Sequence, residues 1–247
     1  MSDNAQPVMP AVPAQDQYPF WTWPDAFMFL GLALPSFLFS VAITRGLFLL
    51  LGDTRIRAAQ GLTMQFLAYA VWFAGLYLML KVRYNRPFWE SLGWRVPWER
   101  AWVTLFLGPA LALGVAVSGV LMRVPEIDTP FREIMADNSS VAMVGFFAVT
   151  LGPLSEELVF RGFLLPLLIR SFGTAGGVVI CAIPFALLHG PQYAWSWRHL
   201  ILLLFASLVF GITRIRTGST AASALVHSTY NLTFYTGFLL QGKDLGI

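Results

Sequence analysis

The sequence predicts an all-α fold, a polytopic bundle of about seven transmembrane helices. Three observations carry that reading. Of the 247 residues, 57% are hydrophobic and only 12% are charged, and the mean hydropathy of +0.66 is far above that of a soluble domain. The apolar residues fall into runs long enough to cross a bilayer. The Lys and Arg residues stand in small groups between those runs with Trp residues nearby, as at membrane interfaces. No basic stripe suits a nucleic acid, so the formal charge of +3 reflects juxtamembrane residues. Cys181 is the only cysteine and lies mid-span, which excludes an internal disulfide framework and a cysteine-based zinc site.

Residues 1–24 hold Pro and Ala but no Lys or Arg, and are expected to form a flexible tail ahead of a single membrane domain, residues 25–247. Trp21 and Trp23 mark the approach to the first span, 25–51. A second span covers 61–80. The basic connector 81–100 carries Trp89, Trp94 and Trp98, which suits a segment lying in the interface. The third span, 101–122, leads to a polar loop, 123–140. The fourth is 141–169. The fifth, 174–188, opens on small residues that permit close helix packing. An aromatic turn at 190–198 precedes the sixth span, 199–212, and the seventh is 220–240.

The fourth span is where apolar logic fails. It contains Ser155-Glu156-Glu157-Leu158-Val159-Phe160-Arg161-Gly162, and ionisable groups at membrane depth are rare and usually functional. Glu157 and Arg161 are four apart, so they share a face and can pair. Glu156 is rotated by roughly 100° and is left without this partner. The Gly152-Pro153 pair lies one turn upstream, where a kink would free carbonyls and admit water. A Glu-Arg pair alone would read equally well as a structural link between spans; the second glutamate argues for more.

Two further spans carry polar groups. His189 ends the run Phe185-Ala186-Leu187-Leu188-His189, and His227 and Asn231 project from one face of the last span. His199, beside Trp197 and Arg198, is expected to be a wet interfacial residue. Each polar group alone reads best as a satisfied helix bridge. Three spans carrying them must satisfy one another or line a wet cavity. The set suits hydrolysis of a carbonyl compound: a glutamate as general base on water, a histidine holding that water or returning a proton, and His plus Asn as donors to an oxyanion.

E-E-L-V-F-R-G, F-A-L-L-H and H-S-T-Y-N resemble, in order, the three motifs E-E-x-x-x-R, F-x-x-x-H and H-x-x-x-N of the CAAX protease and bacteriocin-processing (CPBP) family. The resemblance covers about 141–236. It implies an intramembrane glutamic endopeptidase without cofactor or metal. It implies Glu156 and His189 as the pair that activates water, His227 and Asn231 as the oxyanion pair, and Glu157, Arg161 and Phe185 in support. It also implies a peptide or membrane-protein substrate met within the lipid bilayer. The connector W-x-S-L-G-W-R resembles the segment preceding the core in bacterial members, hence a bacterial plasma membrane. The CAAX substrate itself does not transfer, since no prenyl-binding groove is readable. Three other readings stand: a non-catalytic scaffold or bacteriocin-immunity protein of the same type, a metalloprotease lacking any short H-E-x-x-H spacing, and an ion-coupled transporter without visible inverted repeats.

Overall fold

The computed structural model describes residues 17–52, 56–96, 101–127, 134–135 and 137–241. Residues 1–16 of the expected tail, and Trp98, lie outside them. All regular structure among the described residues is helical. Helices α1 (Trp23–Gly31) and α2 (Ala33–Leu51) run on as one span. Helix α3 (Arg57–Leu78) widens into a π-type turn at Met79–Arg83. The connector holds a short helix, α4 (Phe88–Ser91), before α5 (Ala101–Leu121). Then come α6 (Asn138–Val149), α7 (Leu151–Glu157), a second π-type turn (Leu158–Leu164) and α8 (Leu165–Leu188). Helices α9 (Trp197–Thr217) and α10 (Thr220–Gln241) complete the bundle.

Among the described residues, five stretches have the length and hydropathy of a span, one of them the 51 residues Asn138–Leu188. At 1.5 Å per residue that stretch is far longer than a bilayer core of about 30 Å. It turns back at Gly173, whose φ of +72° is open to glycine without strain. Counting its two halves and α10 gives seven crossings, as the sequence predicts. Helix α10 is less apolar because it carries Ser223, His227, Thr229 and Asn231.

Helix α5 lies closest to α10. At their crossing a Cβ on Gly108 would overlap Thr229 Oγ1 and the Val226 carbonyl, so the small residue sets the approach. The end of the bundle near α1 is fixed differently. Residues 17–24 were expected in the tail, yet they are docked. Trp21 is fully buried, donates from Nε1 to the Phe163 carbonyl at 3.1 Å and stacks on the Phe163 ring. Arg170 donates to the carbonyls of Pro19 and Trp21. Their partners lie some 140 residues downstream, out of reach of a local reading. Beside them, buried Asp25 accepts at Oδ2 from Thr22 N–H (2.8 Å), Thr22 Oγ1 (2.7 Å) and the Tyr84 hydroxyl (2.5 Å), and its Oδ1 forms an ion pair with Arg83 at 2.8 Å, which caps α1 and ties it to the end of α3.

Candidate active site

The site is built where the helix breaks. Thr150 (φ −121°, ψ −77°) interrupts the helical path between α6 and α7. The expected Gly-Pro kink therefore falls slightly earlier, and Pro153 sits in the first turn of α7, where a missing N–H breaks no helical bond. The last carbonyls of α6 lose their helical donors at the break. Asn231 supplies one, donating from Nδ2 to the Ala148 carbonyl at 2.7 Å. Helix α7 ends on Glu156 and Glu157, and the π-type turn follows at once, a local widening common at functional positions.

Glu157 is fully buried and fully partnered. Oε1 accepts from Arg161 Nη1 at 2.8 Å and from His227 Nδ1 at 3.0 Å; Oε2 accepts from Ser223 Oγ at 2.6 Å. Arg161 is also buried, donates from Nη2 to the Ser207 carbonyl (2.8 Å) and hydroxyl (2.6 Å), and lies 4.6 Å from the Phe185 ring centroid. The Phe185 ring also packs against the histidines, with His189 4.9 Å away and His227 5.8 Å away. Phe210 stacks on His227 at 4.5 Å and fixes its ring plane.

Glu156 is different. Its side chain is 26% exposed, and Oε2 lies 4.0 Å from His189 Nε2 and 3.9 Å from His227 Nε2. Neither distance is a hydrogen bond, and Oε2 is buried with no partner in the protein. Both imidazoles are held from behind. His189 Nδ1 faces the Phe185 carbonyl at 2.8 Å, which can only accept, so that nitrogen carries the proton. His227 Nδ1 faces the Glu157 carboxylate, which imposes the same tautomer. Both Nε2 atoms therefore point at Glu156, across a gap that suits one bridging water.

Glu156, His189, His227 and Asn231 all line one cavity of about 830 Å³. Most of its remaining wall is apolar, with Val115, Phe147, Leu202 and Phe238 among the contributors. It reaches the end of the bundle where α3 begins and α5 and α10 end, through Ala58, Gly119 and Phe238. His199, expected to be a wet interfacial group, lines this cavity too; its ring stacks on Tyr193 at 4.7 Å and its Nδ1 is buried without a partner. Ser207 and Ser223 were not singled out from the sequence. Ser223 had a signal: with His227 and Asn231 it forms a row at four-residue spacing. Among the described residues no three His, Cys, Asp or Glu side chains are placed to hold a metal together.

Residues 138–233 match the family model "Type II CAAX prenyl endopeptidase Rce1-like". This part of the chain is Rce1-like. The Rce1-like segment contains all three motifs and runs from the start of α6 to just past Asn231. Over these residues, less than half of the chain, the sequence is similar at family level to the CAAX-protease-type endopeptidases. No curated protein and no solved structure matches the chain.

Proposed function

We propose that this chain is an intramembrane glutamic endopeptidase, in which Glu156 and His189 activate a water against a peptide carbonyl. The observation that carries the proposal is Glu156 Oε2, buried without a protein partner and facing two Nε2 atoms at 3.9 and 4.0 Å. A water there donates to Glu156 and to His189. As its oxygen bonds to the carbonyl carbon, its proton passes to Glu156, which then returns it to the leaving amine. The developing oxyanion takes hydrogen bonds from His227 Nε2 and from the second N–H of Asn231 Nδ2. His227 can donate there only as the doubly protonated ring, because its Nδ1 proton is held by Glu157.

Neither Ser155 nor Cys181 serves as nucleophile in this scheme, so no acyl-enzyme forms. The apolar cavity suits an apolar peptide or a membrane-protein segment. The membrane is that of a bacterial plasma membrane, on the resemblance of the connector to bacterial members. The test is incubation of the detergent-purified protein with a library of apolar peptides, free and prenylated, in ¹⁸O-labelled water. The proposal expects new C-termini carrying one label, in the presence of chelator and of serine- and thiol-directed reagents. Silence across the whole library would favour a non-catalytic scaffold, and trapping of a covalent adduct at Ser155 or Cys181 would overturn the water mechanism.

A further inference from the structure

Arg161 has a second neighbourhood. It lines another cavity, of about 360 Å³, together with Tyr18, Leu165, Ile169, Arg170 and Arg214. Among the described residues the wall holds three guanidinium groups and no carboxylate. Among the described residues, Arg161 alone of the three has a charged partner, Glu157. Arg170 bonds to the backbone carbonyls of Pro19 and Trp21, and Arg214 reaches only the Tyr18 hydroxyl, at 3.3 Å. Two guanidinium N–H groups have no acceptor although buried, Nε of Arg161 and Nε of Arg214. A buried donor left unmade is unfavourable, and a cationic one more so. Arg161 is 1% exposed, so its unclaimed N–H is not met by bulk water.

The cavity lies at the end of the bundle opposite to the mouth of the glutamate cavity. Arg170 stands just before the turn at Gly173, Arg214 in the last turn of α9, and Tyr18 just ahead of α1. The apolar helices end here, at the level where a bilayer places its headgroups. The same two helices present Phe172 (55% exposed) and Ile212 (49% exposed) outward, as lipid-facing residues do. The cavity wall is itself amphipathic, since Leu165, Ile169 and Ile215 alternate with the arginines. A free inorganic anion would have no use for that apolar wall. An anionic amphiphile matches both parts of it.

We propose that Arg161, Arg170 and Arg214 form a site for the phosphodiester of an anionic phospholipid, whose glycerol and upper acyl chain lie on Leu165, Ile169 and Ile215. Guanidinium groups match phosphate oxygens in geometry and charge, and basic pockets between transmembrane helices select anionic headgroups. The site is independent of the hydrolytic reading, since no proton or bond changes in it. The one shared residue is Arg161.

The test uses the delipidated full chain in detergent, titrated separately with phosphatidylglycerol, phosphatidylcholine and sodium phosphate. Bound lipid is counted by native mass spectrometry, and thermal unfolding gives a second readout. Wild type is expected to bind phosphatidylglycerol tighter than phosphatidylcholine by about tenfold or more. Arg214→Gln removes the one arginine that holds no structural bond but a weak contact to Tyr18, and should abolish the preference; Arg214→Lys should keep part of it. Thr174→Trp lies on the exposed lip of the cavity, leaves every arginine in place, and should block phosphatidylglycerol by filling the space. Equal binding of the two lipids by wild type, or a preference that survives in both Arg214→Gln and Thr174→Trp, would overturn the proposal. Protection by sodium phosphate equal to that by phosphatidylglycerol would replace the lipid with a free anion and overturn the lipid assignment.

Discussion

Glu156 and Glu157 are adjacent in sequence and live in opposite surroundings. Glu157 has both oxygens claimed, by Arg161, His227 and Ser223, and no exposure. Glu156 has an oxygen with no protein partner, and open cavity in front of it. The turn of roughly 100° between neighbouring helical residues is enough to separate them. One half of the pair reads as architecture and the other as chemistry, because saturation fixes a charge in place whereas an unmet acceptor leaves it available for a water. His227 belongs to both halves, since Nδ1 serves Glu157 and Nε2 faces Glu156.

If that division holds, damage to the Glu157 side should register as instability. The largest effect is expected from Arg161→Leu, which strands a buried carboxylate at a loss of about 3–5 kcal/mol, read as a lower midpoint of thermal unfolding in detergent. Full stability with abolished cleavage would move Arg161 to the chemical half. Ser223→Ala comes next. It removes a charge-assisted bond to Glu157 Oε2 and should lower stability by about 1.5–3 kcal/mol, measured the same way; an unchanged midpoint would mean that the Phe210 carbonyl, its other partner at 2.9 Å, takes the hydroxyl in solution.

Asn231 stands on the border, one amide proton on the Ala148 carbonyl and the other free for the cavity. Asn231→Ala should lose only about 1 kcal/mol of stability through the broken helix cap, yet slow peptide cleavage by about 10²–10³. A stability loss with unaltered cleavage would make the residue purely a cap.

Much of this division was legible in the sequence because it is written at helical spacing. Glu157 and Arg161, Phe185 and His189, and His227 and Asn231 are each four apart, so their pairing on a face follows from the helix alone. The convergence of three spans followed from the bilayer's intolerance of isolated polar groups. What could not be read depends on tertiary reach. Trp21 meets Phe163, Ser207 meets Arg161 and Arg170 meets Arg214 across a cavity, with no periodicity to announce any of them. His199 gains a neighbour for the same reason: its position beside Trp197 and Arg198 says interface, and only the tertiary packing also brings it to the wall of the cavity.

The smallest expected effect on stability belongs to Glu156→Gln, within about 0.5 kcal/mol of wild type, because no bond in the protein depends on the lost charge. That makes it the most direct measurement of the central claim. Wild type and Glu156→Gln, matched for thermal midpoint and monodispersity in detergent, are compared in one peptide-library cleavage assay. The account predicts that the variant folds as wild type does and loses nearly all cleavage, since the amide keeps the shape but cannot take a proton from water. A folded Glu156→Gln protein that cleaves at the wild-type rate would contradict it.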